Sequence, residues 1–124
     1  MSVRDAVIVE AVRTPVGRRK GALSRQHAVE LSAHVLKALE ARSGIDPAAV
    51  DDVIWGVVMQ AGMQAGNVGR SAVLTAGWPE SVPGTTIDRQ CGSSQQSVHF
   101  AAAGLISGQY DGVVAGGVEG MSAV

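Results

Sequence analysis

Apolar positions fall into short runs of two periods. Ala6 to Val12 (AVIVEAV) is rich in β-branched residues and predicts a mostly buried strand. Arg13-Thr14-Pro15 ends it, because proline cannot continue a ladder. Leu31, Val35 and Leu39 recur every four residues, with Ala28, Ser32 and Leu36 in the adjacent row. That spacing predicts a helix from Ala28 that stops at Gly44. Asp46 and Pro47 supply an N-cap and first position for a short turn through Val50. Asp52 to Val58 (DVIWGVV) predicts a second strand. Asn67 caps a helix over Val68 to Ala76, which stops at Gly77. Thr85 to Asp88 predicts a short third strand, followed by a helix from Gly92 to Ser107. Gly112 to Ala115 (GVVA) predicts a fourth.

The order β-α-β-α-β-α-β favours a mostly parallel sheet with right-handed crossovers, an α/β fold. At 124 residues the chain fits one domain at most. Residues 15–27 (PVGRRKGALSRQH) read as a loop carrying a basic cluster. The chain stops at Val124 after a glycine-rich stretch with no capping element, an ending that points to a missing remainder.

Composition narrows the class. Hydrophobic residues make up 46% and charged ones 17%, so the chain can bury a core. Aromatics are only 3%, which leaves little stacking surface for nucleic acid bases. The formal charge of −1 gives no field favouring phosphate backbones or anionic membranes, so no nucleic acid partner is expected. No run approaches the ~18 uninterrupted apolar residues of a membrane span. One cysteine cannot make an internal disulfide, and MSVRDAVIVEAVRTP lacks a signal-peptide core, so a cytoplasmic setting is expected.

That cysteine, Cys91, lies in TTIDRQCGSSQQSVHFAAAGLISG, between a strand-like and a helix-like segment. Residue chemistry leaves two readings open. Free cysteine is often a small core hydrophobe. At a strand-to-helix junction, however, its sulfur would sit at a helix N-terminus, where free N–H groups and the dipole favour thiolate. Gly92, Ser93 and Ser94 are small enough to bring backbone amides close to a bound carbonyl oxygen, and Arg89 adds positive charge nearby.

IDRQCGSSQQSV (87–98) resembles the nucleophile motif of the thiolase family, in which Asn-Arg-x-Cys is followed by small residues. The resemblance runs along nearly the whole chain. VIVEAVRTPVGRRKGAL is similar to the family's opening strand and Arg-Thr-Pro-x-Gly loop. VIWGVVMQAGMQAGNVGR is similar to its second strand and Asn-x-x-Arg helix start, and DGVVAGGVEGMS to its Gly-Gly-x-Glu-x-Met-Ser segment. Asp88 stands where asparagine is commoner, a change expected to tune hydrogen bonding beneath the nucleophile, and Gly120 where serine often separates Glu119 from Met121; neither removes the thiol.

The resemblance implies a thiolase-like layered αβα half-domain, residues 1–124 being the N-terminal part of the thiolase N-terminal domain. The loop domain and C-terminal domain are absent, as are the family's Gly-His-Pro and Cys-x-Gly-Gly motifs, which bring a catalytic histidine and a second cysteine. It further implies that Cys91 accepts an acyl group from 3-oxoacyl-CoA, with coenzyme A and acyl-CoA as substrates and no covalently bound cofactor. The Cys91 N–H would belong to one oxyanion hole. A homodimer or homotetramer is implied, with the short strand Thr85 to Asp88 at the dimer interface, in fatty acid or lipid metabolism. Two alternatives stand beside this. One is a non-catalytic truncated or split thiolase half acting as an assembly partner; the other is the related ketoacyl-synthase branch, against which Arg13-Thr14-Pro15-x-Gly17 argues.

Other motifs add no chemistry. His27, His34 and His99 are not at metal-ligand spacing, so no metal is expected, and His99 reads as a hydrogen-bonded core or interface residue. The glycine patterns at 62–69 and 112–120 are neither G-x-G-x-x-G nor a Walker loop, and no G-x-S-x-G elbow occurs. Val98 to Ile106 (VHFAAAGLI) is apolar around its axis except at His99 and Gly104, and so predicts a helix that needs cover on all sides.

Overall fold

The computed structural model describes residues 3–122. Three parallel strands form its sheet: β1 (Asp52–Gly56) in the centre, β2 (Gly84–Ile87) on one side and β3 (Val113–Gly117) on the other. Val53 of β1 is in register with Gly84 and with Val114. Helix α1 (Ala28–Ser43) packs on α2 (Val68–Thr75), and α2 lies against β1 and β2. Helix α3 (Ser93–Ser107) packs against β1 and β3. Trp55 and Ile54 separate the two faces. The Trp55 indole N–H donates to Ser32 Oγ of α1 at 2.9 Å, whereas Ile54 lines a cleft with Phe100 and Gly104 of α3. The result is three layers, α/β/α, as the fold class anticipates.

Local sequence sets the element ends. Gly44 closes α1 in the left-handed conformation (φ 73°). Asp46 caps the turn Pro47–Ala49 through the Ala48 N–H at 3.0 Å. Asn67 Oδ1 caps α2 through the Arg70 N–H at 3.1 Å. His27 caps α1, its Nδ1 accepting from the Val29 N–H, a role its sequence position had not suggested. The core lies on the α1–α2 face, where Leu36, Val53, Trp55, Val68, Val73 and Trp78 pack together.

One expected strand is missing. Residues 6–12 join no ladder, and instead of being mostly buried, Ile8 and Val9 are 82% and 85% exposed. A strand is defined by its neighbour, and the three described strands pair only with one another, β3 keeping its outer edge open. Ion pairs tether the segment instead, Arg4 just before it to Asp111 (2.7 Å) and Glu10 within it to Arg42 (3.5 Å). The expected four-strand succession is therefore a three-strand sheet among the described residues.

Helix α3 is mounted with its small residues inward. Ser93, Ser97, Ala101 and Gly104 are buried, while Val98, Phe100 and Ile106 face outward, Phe100 at 49% exposure. Ser97 donates to the Gly116 carbonyl of β3 at 3.0 Å, a bond that draws helix and sheet together. His99 is on the exposed side, which overturns the core half of its core-or-interface reading: the inward stripe at this spacing is already filled by small residues.

Candidate active site

Cys91 lies just past the carboxyl end of β2, one residue before Gly92, the N-cap of α3. It is a free, exposed thiol, so the core-hydrophobe reading fails. The connection from Ile87 to Ser93 is a tight turn in which Gln90 takes φ 49°, in the left-handed region that side chains disfavour. The Gln90 N–H donates to Asp88 Oδ1 at 2.8 Å. Ser93 Oγ accepts from the Arg89 N–H at 2.8 Å and donates to the Gln90 carbonyl at 2.6 Å. The Gly92 and Ser93 N–H groups turn back to Arg89 O (3.0 Å) and Gln90 O (3.1 Å). Arg89 does not aim at the thiol, because its guanidinium donates to Gln96 Oε1 at 3.0 Å, one turn into α3.

The floor under this turn is glycine. A Cβ on Gly56, the last residue of β1, would come within 2.5 Å of the Ser93 carbonyl carbon and the Ser94 nitrogen. Only a residue without a side chain lets the start of α3 rest on the strand end. The central strand thus ends against the backbone that follows the thiol, at the carboxyl edge where open parallel sheets present ligand sites.

A second cluster flanks that edge. Glu119, in the loop after β3, accepts from the Val58 N–H (2.9 Å), the Met59 N–H (3.3 Å) and Gln64 Nε2 (3.1 Å). Gln64 is fully buried at 0% exposure. Its Nε2 also donates to Met59 O (2.9 Å), and its Oε1 accepts from the Gly120 N–H (2.6 Å). Sequence reasoning placed Glu119 and Gln64 within motifs but gave them no role. The signal was faint: a glutamine in a glycine-rich loop is seldom buried. Gly120 offers its N–H here, which a serine at that position would offer equally.

Comparison with known proteins decides the family. Residues 6–124 match the family model described as the N-terminal domain of thiolase. The chain belongs to the thiolase family. It is 54% identical over 120 residues to a steroid 3-ketoacyl-CoA thiolase of Mycobacterium tuberculosis, covering 97% of this chain and 30% of that protein. It is 46% identical over 124 residues to a 3-ketoacyl-CoA thiolase of Pseudoalteromonas translucida, covering 98% of this chain and 32% of that one. The crystal structure of the Bacillus anthracis acetyl-CoA acetyltransferase superposes with a TM-score of 0.92 at 44% identity, over 98% of this chain and 30% of that one. The chain thus spans about a third of the length of these thiolases and corresponds to their N-terminal portion. Among the described residues, no helix is long and apolar enough to cross a membrane.

Proposed function

We propose that this chain is the nucleophile-bearing portion of a thiolase-type acyltransferase, with Cys91 as the residue that accepts the acyl group. The observation that carries the reading is the placement of an exposed thiol on a tight turn at the carboxyl edge of the sheet, at the start of α3. Cys91 sulfur attacks the C3 carbonyl of a 3-oxoacyl-CoA, and the tetrahedral oxyanion collapses with cleavage of the C2–C3 bond. The electron pair leaves on the acetyl-CoA carbon, which takes a proton, while the shortened acyl group stays on sulfur as a thioester. Coenzyme A then attacks that thioester and returns the thiol. The reverse sequence is a Claisen condensation.

Within this chain, the Cys91 N–H is the donor assigned to an oxyanion at the attacked carbonyl. The base for carbon protonation and the remaining donors belong to segments outside residues 1–124, in keeping with a span of about a third of the relatives. We assign residues 1–124 to the first part of the thiolase N-terminal domain. The setting proposed is cytoplasmic lipid metabolism, in a homodimer or homotetramer that pairs through the open outer edge of β2.

A second reading, a non-catalytic assembly half, is favoured by one feature, the apolar outer face of α3. Acetyl-CoA separates the two. Transfer of its acetyl group to Cys91 breaks the thioester C–S bond, forms a new one, and passes the thiol proton to the departing CoA thiolate. An acetyl adduct on Cys91 in the intact mass, lost in Cys91→Ser, is expected. An unmodified chain would leave the assembly role. Steady turnover of acetoacetyl-CoA is not expected of the chain by itself, since the lost proton carriers are worth ~10²-fold or more each.

A further inference from the structure

The turn that presents Cys91 does not hold itself. Gln90 sits at φ 49° with no glycine to ease it, and it directly precedes the thiol, so any relaxation of Gln90 swings Cys91. Two side chains counter that relaxation from opposite ends. Asp88 Oδ1 fixes the Gln90 N–H at 2.8 Å. Ser93, 4% exposed and seated over Gly56, fixes the Arg89 N–H at 2.8 Å and the Gln90 carbonyl at 2.6 Å with one hydroxyl. Both peptide groups of Gln90 are thereby tied down, one through its N–H and one through its C=O.

We propose that Asp88 and Ser93 are positioning residues for acyl transfer, which clamp Gln90 and so fix the direction in which Cys91 meets the carbonyl carbon. The claim rests on the reading of Cys91 as the acyl acceptor and deepens it. The work of Asp88 is done by its Oδ1 as an acceptor and does not need its charge. Asparagine presents the same oxygen at the same reach, whereas alanine presents none.

Two rates on the purified chain test this: acetylation of Cys91 by acetyl-CoA, followed by intact mass, and alkylation by iodoacetamide. Alkylation needs only an accessible thiol, whereas acetylation needs the thiol aimed. Asp88→Ala and Ser93→Ala are expected to slow acetylation by about tenfold or more, the order that misalignment of reacting groups costs. Their alkylation rates should stay within about twofold of the unsubstituted chain, since Cys91 is exposed. Asp88→Asn should restore acetylation to the unsubstituted rate. Circular dichroism separates unfolding from misdirection, and Asp88→Asn keeps the test decisive if Ser93→Ala fails to fold. Asp88→Ala acetylating at the unsubstituted rate overturns the positioning claim alone, and so does an Asp88→Asn as slow as Asp88→Ala. No acetyl adduct on the unsubstituted chain overturns the acyl-transfer reading, and the positioning claim with it.

Discussion

Gln64 Nε2 and Glu119 Oε1 meet at 3.1 Å, and that contact joins the loop after the central strand to the loop after β3. Each partner also holds backbone of the other's neighbourhood: Glu119 takes the Val58 and Met59 N–H groups, and Gln64 takes that of Gly120. The two loops that border the carboxyl edge of the sheet are thus tied by side chains where no strand pairing continues.

Gln64→Leu tests the tie by keeping most of the volume and removing the amide. It takes the acceptor from the half-buried Gly120 N–H and the donor from the Met59 carbonyl and from the exposed Glu119 carboxylate. A hydrogen bond lost from a partly buried group costs about 1 kcal/mol, so the variant should unfold at lower temperature. Glu119→Gln, which keeps an acceptor, should lose less. Equal midpoints for Gln64→Leu and the unsubstituted chain in thermal unfolding would show the clip to be dispensable.

Most of this architecture was legible in the sequence. Gly44, Asp46-Pro47 and Asn67 mark their turns and helix ends because a cap is a local hydrogen bond between residues a few positions apart. The parallel layered arrangement was legible too, but two readings that depend on a particular neighbour failed. AVIVEAV has the composition of a buried strand, but composition does not supply the partner whose ladder makes it one. His99 sits in an apolar helix, yet only the sheet decides which stripe of that helix turns inward. Cys91 was singled out by motif, and with it hydrogen bonding by Asp88 beneath it, while the part of Ser93 was not. Asp88 and Ser93 act through a backbone angle at Gln90, and no residue type there announces a left-handed turn.

The single tyrosine of the chain reports on another long-range contact. Tyr110 donates its hydroxyl to Asp52 Oδ2 at 2.8 Å. That hydrogen bond, with smaller contributions from burial and from the negative charges of Asp52 and Asp51, raises its pKa above the ordinary 10.0. Because the folded pKa is the higher one, the stabilisation is fully present below the unfolded value. It is lost as pH climbs through the folded value. Tyrosinate absorbance in native chain should therefore rise at higher pH than in urea-unfolded chain. Asp52→Asn, which removes the charge, should bring the native midpoint down. Coincident native and unfolded titrations would contradict the contact.

The outer face of α3 carries the last expectation. Val98, Phe100 and Ile106 stand 45%, 49% and 47% exposed on one helix, beside the cleft lined by Ile54 and Ile87. A helix that buries Ser93, Ser97, Ala101 and Gly104 and turns Val98, Phe100 and Ile106 outward has a face prepared for cover. Burying such surface is worth about 25 cal/mol per Å², so a few hundred Å² supplies several kcal/mol to whatever covers it. The isolated chain should accordingly bind ANS and self-associate with concentration in sedimentation velocity. Phe100→Ser with Ile106→Ser should weaken both effects. The same pair should leave the thermal midpoint within a few degrees, because neither side chain is buried in the α1–α2 core. A parent chain that stays monomeric without ANS binding would show that this face needs no cover. A double variant that unfolds outright would show that it already contributes to the fold.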